Sequence, residues 1–372
     1  MKIWKRTMSG AVILAGAAAL SACGNEGSNG GETNSDAEAN SNTEAANGNA
    51  DTEEATNEVQ EDGGGEATGE DAPEGAPENI NLGSASQGGT YYVYAGGVAT
   101  MIDQNLDVPV NVEVTGGPVH NMQLVQSGDL NLGFATLGPA YEGYTGTGDW
   151  AEEPLDDVRI AFPMYTTPFK WWALEDSGIE SMEDIEGQRV GVGPSGGTSG
   201  TYYPIIHESL ELNTEDVQTG ANDMASQMLD GQLDVIAFAA GTPISILTEI
   251  ETQRDVNIFG LEGEMREEIL DMYPYFYEHT VPGGSYESLP DDMETIAVYN
   301  FGIVHKDMDA DFVYELVKSY HENNDQLVST HASAEEATED AILNNEQVPL
   351  HEGAIRYYEE AGIELPEDVY VD

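Results

Sequence analysis

Basic side chains are scarce in this chain. Eleven Lys and Arg stand against 70 Asp and Glu, a formal net charge of −59 over 372 residues. That scarcity excludes nucleic acid as a partner, because phosphate binding needs a basic stripe. Cysteine is scarcer still: the single one, Cys23, excludes an intramolecular disulfide and any Cys-based zinc cage. Long apolar runs are missing too, since the longest, residues 11–20, is rich in Ala and Gly and short of the roughly 20 residues of a membrane-spanning helix. What is present suffices for a core, with 40% hydrophobic residues and 18 Tyr. The length predicts two folded units plus something extra, at about 150 residues per domain.

The first 23 residues have an export layout: Lys2, Lys5 and Arg6, the apolar stretch, then Leu20-Ser21-Ala22-Cys23. The tripartite order reads as a secretory signal over residues 1–22. Leu-Ser-Ala-Cys resembles the bacterial lipobox, which makes Cys23 the lipidated first residue of the mature protein, held at a membrane surface by its acyl chains. Residues 24–80 carry 16 acidic side chains, no Lys or Arg, and almost no large apolar side chain beyond Val59 and Ile80. Such a stretch buries too little apolar surface to offset the entropy of ordering it, so residues 23–86 read as the lipidated Cys and a disordered acidic linker. The linker does not explain the charge. Residues 81–372 keep 54 acidic against 8 basic side chains, a net −46. Self-repulsion of that size calls for screening salt, and implies a salt-rich or alkaline external habitat.

Two stretches of the body echo each other. Gly89-Thr90-Tyr91-Tyr92 returns as Gly200-Thr201-Tyr202-Tyr203, and Ser127 to Thr136 is echoed by Asp230 to Ala239. In each unit an extended run leads to a Gly-rich turn, a helix and a short apolar strand. In the first, Val110 to Val114 precedes Thr115-Gly116-Gly117-Pro118, a helix from Val119 to Gln126 stopped by Gly128, and a strand from Leu130 to Ala135. In the second, Arg189 to Gly193 precedes the turn Pro194 to Ser199 and a helix from Tyr202 to Leu212. Strands alternating with helices predict an α/β body with mainly parallel sheets. Ligands of such sheets sit beyond the strand C-termini, where helix N-termini point.

Gln87-Gly88-Gly89-Thr90-Tyr91-Tyr92, Val114-Thr115-Gly116-Gly117 with Asn121, Ser127-Gly128-Asp129-Leu130, the turn Gly193 to Ser199, and Val348 to Ala354 with Tyr357-Tyr358 come in that order. Together they resemble the TAXI family, the solute receptors of TRAP (tripartite ATP-independent periplasmic) transporters. The resemblance runs from about Ser86 to the C-terminus. It implies a type II periplasmic-binding-protein fold, two α/β lobes closing over one small solute. Here lobe 1 would comprise 87–170 and 290–372, lobe 2 would comprise 171–289, and the return crossover would be Ile296 to Val304. It further implies a monomeric, non-enzymatic receptor without a cofactor, which delivers its solute to an ion-gradient-driven membrane permease. One departure matters. Where many members of that family carry Gln-Ser-Asp, this chain has Thr136-Leu137-Gly138, so the family's ligands do not transfer directly.

The expected ligand contacts are Gly89, Thr90 and Tyr91; Thr115, Gly116 and Gly117; Thr136; Ser195, Gly197, Thr198 and Ser199; and Thr242. Backbone N–H groups at helix starts hold an anionic oxygen without a basic side chain, and tyrosines offer an apolar face with a hydroxyl. A small carboxylate, an amino acid or organic acid, fits best. Other readings stand beside it: a receptor for an ATP-driven importer, a surface sensor, and a serine hydrolase. For the last, Gly193-Pro194-Ser195-Gly196-Gly197 matches G-x-S-x-G between a strand and a helix, with Thr198-Ser199-Gly200 prolonging the turn. The loop lacks the Lys of a phosphate-binding loop. Metal motifs fail: no His-Glu pair completes H-E-x-x-H. The Asp307-Met308-Asp309-Ala310-Asp311 run has Phe312 where a calcium loop needs Gly, so Asp309 or Asp311 reads as a helix cap. Of Trp171-Trp172, at most one can face a cleft, since neighbours in a strand point opposite ways. Lys170 and Arg189 each read as a structural ion pair, with neutralisation of a ligand carboxylate as the alternative.

Overall fold

The computed structural model describes residues 72–370. The expectations for the signal at 1–22, for Cys23 and for the linker up to residue 71 lie outside the described residues. The first lobe is built from β1 (Ile80–Gly83), α1 (Thr90–Leu106), β2 (Val110–Glu113), α2 (Pro118–Ser127), β3 (Leu132–Thr136), α3 (Leu137–Thr145) and β4 (Val158–Pro168). β1 runs parallel to both β2 and β3. This corrects the linker boundary at residue 86. Ile80 and Leu82 are fully buried in the first core, and two apolar side chains at alternate positions make a strand when neighbouring strands supply the rest. A composition averaged over 24–80 conceals so short an element.

The second lobe follows with β5 (Trp171–Leu174), β6 (Arg189–Gly191), α4 (Thr198–Ser209), β7 (Glu215–Val217), α5 (Ala221–Leu229), β8 (Val235–Ala237), α6 (Ser245–Glu251) and β9 (Val256–Phe259). Its strand order is β7-β6-β8-β5-β9. β6 is parallel to β7 and β8, and β5 is antiparallel to β8 and β9. Adjacent Trp171 and Trp172 fall on opposite sheet faces and are fully buried in separate apolar clusters. The alternation rule holds, and both rings serve packing.

The chain returns through α7 (Gly263–Met272), β10 (Tyr277–Val281) and β11 (Met293–His305), then closes with α8 (Ala310–Glu322), α9 (Asn324–Thr330) and α10 (Glu352–Glu360). β11 pairs antiparallel with β10, β3 and β4. By its hydrogen bonds β10 therefore joins the first sheet, although residues up to 289 were expected in lobe 2. β11 crosses between cores, and the chain leaves the first core for the second where β4 ends, at Phe169. Ile296 and Val298 of β11 pack in the second lobe, and Phe301 and Ile303 in the first. Asp309 caps α8, its carboxylate accepting from the N–H groups of Asp311 and Phe312. Gly128 ends α2 in the left-handed conformation, φ 76°, as its position after Ser127 predicts.

Candidate functional site

Three helices start where strands end. β1 leads into α1, β2 into α2 and β6 into α4, so the helix N-termini gather beyond the strand C-termini. Each helix has glycine at the N-cap (Gly89, Gly117 and Gly197), and none has a side-chain cap. The N–H groups of Thr90, Tyr91, Thr198 and Ser199 find no acceptor among the described residues. Helix α4 begins at Thr198, four residues before the expected Tyr202. Thr-Ser-Gly has turn-forming propensity, but tertiary contacts override it. Ser199 Oγ accepts from Ala239 N at 2.9 Å, fastening the first turn to the end of β8.

The two lobes meet around this point. Val119 N donates to Gly196 O at 3.0 Å. The hydroxyls of Thr136 and Thr198 lie 3.1 Å apart, and Thr90 Oγ1 donates to Gly241 O at 2.9 Å. Gly117 has φ +108°, and a Cβ placed there would stand 2.8 Å from Gly197 Cα. Only glycine permits that approach of one loop to the other. Further along the interface, Glu142 of α3 accepts from the hydroxyls of Tyr202 and Tyr275, and from Trp150 Nε1 at 3.1 Å.

Beside these contacts is a partly open cavity of about 40 Å3, room for about three water-sized bodies. Among the expected residues, Gly89, Thr90, Tyr91, Gly116, Gly197, Thr198 and Ser199 line it together. The remaining five lie elsewhere. Thr115 shapes the turn, its hydroxyl 2.9 Å from Ser84 O and 2.7 Å from Asn121 Oδ1 while accepting from Gly117 N at 3.1 Å. Gly117 and Thr136 make the lobe contacts above. Ser195 is exposed on the turn outside the lining, and Thr242 hydrogen-bonds Lys170 behind the wall at 3.1 Å. Among the described residues, no Asp, Glu, Lys, Arg or His lines the cavity.

The sequence reading overlooked Ser86, Thr167, Phe238, Ala240 and Asn300, all of which line the cavity. Asn300 is the most informative. It accepts from Tyr91 OH at 2.6 Å and donates to Thr167 Oγ1 at 2.7 Å and to Tyr165 O. Its visible signal was one amide inside the apolar run of β11. Burial pushes the Tyr91 phenol well up, so it stays a neutral donor. Tyr92 is 37% exposed, while Tyr202 and Tyr203 belong to the second core. Arg189 forms the expected ion pair, with Asp234 at 2.7 Å. Lys170 does not: burial leaves it three oxygen partners and no carboxylate.

Known structures share this architecture. MatC from Rhodopseudomonas palustris, solved with malate bound, superposes with a TM-score of 0.52 at 12% identity, covering 76% of this chain and 96% of that one. The periplasmic binding protein BugD gives a TM-score of 0.51 at 14% identity, covering 78% of this chain and 100% of that one. The fold is that of the type II periplasmic binding proteins. The family model described as NMT1-like family matches residues 82–362, from β1 through the two lobes to the end of α10, and the chain belongs to that family.

Proposed function

We propose that this protein is an extracytoplasmic solute receptor that captures a small carboxylate, an amino acid or organic acid, and delivers it to a TRAP-type permease driven by an ion gradient. One observation carries the ligand class. Two uncapped helix starts, α1 and α4, present free N–H groups to one cavity that, among the described residues, no charged side chain lines. Such donors favour an anionic oxygen, helped by the positive ends of the helix dipoles. Ser199 reinforces them. Its oxygen already accepts from Ala239 N, which leaves its proton for a ligand oxygen. Phe238 and Ala240 supply an apolar wall, and the small volume suits a carboxylate of a few non-hydrogen atoms. An exposed Ser195 outside the lining speaks against its use as a nucleophile. The TRAP partnership rests on the ordered motifs from Gln87 to Tyr358, and the attachment to the outer face of the cell membrane rests on the lipobox at Cys23.

A thermal-shift and calorimetry panel in molar NaCl tests the ligand class with pyruvate, L-lactate, L-alanine, L-malate, a sugar and a polyamine. A response to a small carboxylate is expected; binding of the sugar or polyamine with no response to any carboxylate overturns the assignment. Solute uptake through the permease should follow an imposed ion gradient without ATP, and a strict ATP requirement would point to an ATP-driven importer. Labelling with a fatty-acid probe should mark the wild type and not Cys23→Ser.

A further inference from the structure

A single cation is buried against the wall of the cavity. Lys170, between β4 and β5, is 0% exposed. Its Nζ lies 3.0 Å from Ala240 O, 3.1 Å from Thr242 Oγ1 and 3.4 Å from Pro168 O. Ala240 lines the cavity, and Pro168 directly follows Thr167, which lines it too. The ammonium therefore sits one residue's thickness behind two walls of the site. Six of the eight basic side chains of the body pair with a carboxylate. Among the described residues Lys170 has none within ion-pair distance, although the body carries 54 acidic side chains. A buried ammonium with no carboxylate within ion-pair distance is costly, and an anion in the adjoining cavity would relieve that cost.

Resting on the carboxylate reading of the cavity, we propose that Lys170 is its charge-selecting residue, acting through the wall as a positioning group and taking up a proton from solvent as the carboxylate enters. No covalent bond changes: the proton leaves the buffer, ends on Nζ, and offsets the charge of the incoming anion. Burial pushes Lys170 down to about 7, with Glu336 pulling partly back. The groups facing it are few. Glu336 is exposed. His279 on β10 is pushed down to about 4 by its own burial and by Lys170. Tyr203 OH accepts from Lys170 N, and Tyr286 meets Thr242; burial raises both phenols. At pH 8 His279 and the two phenols keep fixed protonation states, and Lys170 titrates. An anion in the same low-dielectric region favours its charged form.

Calorimetry of the wild-type protein at pH 8 in molar NaCl, in Tris and in phosphate, reads proton uptake from the difference in buffer ionisation heat. Pyruvate, L-lactate and L-alanine serve as probes, with L-lactamide as the uncharged counterpart of L-lactate. More than about half a proton should be taken up per carboxylate bound. L-Lactamide should bind about tenfold or more weaker than L-lactate. Lys170→Met keeps the apolar stem; it should abolish uptake and weaken the carboxylate by about tenfold or more. Carboxylate binding without proton uptake in the wild type overturns this role alone and needs no variant. So does uptake that survives in Lys170→Met, or equal affinity of the wild type for L-lactamide and L-lactate. Absence of any carboxylate binding overturns this role and the proposed function together.

Discussion

Tyr91 and Asn300 show what single residues contribute here. The phenol and the amide satisfy each other at 2.6 Å, so the wall is a closed hydrogen-bond chain that leaves the helix N–H groups free for a ligand. Lys170 is the costly residue. Its folded-state pKa, about 7, lies below the ordinary 10.5, so between those values the unfolded chain binds more protons than the folded one. Stability must therefore rise with pH across that window, by as much as about 1.4 kcal/mol per unit. Above pH 10 the sign reverses, because the buried Tyr91, Tyr165 and Tyr203 are raised above their ordinary 10.0 and ionise first in the unfolded chain. Denaturant midpoints should climb from pH 7 to pH 9 in the wild type and stay flatter in Lys170→Met. A wild-type midpoint that falls over that range would contradict the assignment. Chain position showed Lys170 as a rare cation; only packing shows that its partners are two carbonyls and a hydroxyl.

At the scale of elements, the helix starts decide how the site is built. The glycines before α1, α2 and α4 were legible, as was the turn Thr115 to Pro118, because strand, Gly-rich turn and helix follow in a local pattern. That Gly117 meets Gly197 was not legible, since 80 residues separate them in the chain. Gly117→Ala places a side chain at φ +108°, ψ −158°, a region that costs about 1–3 kcal/mol outside glycine, and drives its Cβ to within 2.8 Å of Gly197 Cα. Gly128→Ala is the control: φ is also positive, +76°, but nothing stands within 4 Å. Both variants should lose stability. Only Gly117→Ala should lose carboxylate affinity, by about tenfold or more, because it alone opposes closure. Equal affinities in calorimetry for the two variants would remove the contact between lobes from the mechanism.

For the molecule as a whole, charge dominates. The folded body carries 54 acidic against 8 basic side chains. Its ion pairs are mostly exposed, as with Arg254 and Asp176 or Arg356 and Asp311, and such pairs contribute about 0–1 kcal/mol each. Salt weakens those few attractions and the far more numerous repulsions together, and the repulsions prevail. The Debye length falls from about 10 Å at 0.1 M to about 3 Å at 1 M. The melting temperature should therefore rise between dilute buffer and molar NaCl; a fall would show that the exposed pairs outweigh the repulsion and would contradict the salt-rich habitat.

The sequence by itself determined the α/β architecture and the glycine-rich turns that line the cavity. Hydrophobic periodicity and glycine placement are local signals, and they announced the alternation of strands and helices from Val110 onward; the return strand at Ile296 to Val304 came from the family resemblance. The short strand at Ile80–Gly83 escaped, because its two buried side chains have meaning only beside β2 and β3. Tertiary structure alone decided which residues share the cavity. Asn300 reaches Tyr91 across 209 positions, Thr136 meets Thr198 across 62, and Ser195 turns outward while Ser199, four residues on, faces inward. Those pairings depend on how two lobes close, and no local propensity encodes a contact between loops that belong to different sheets.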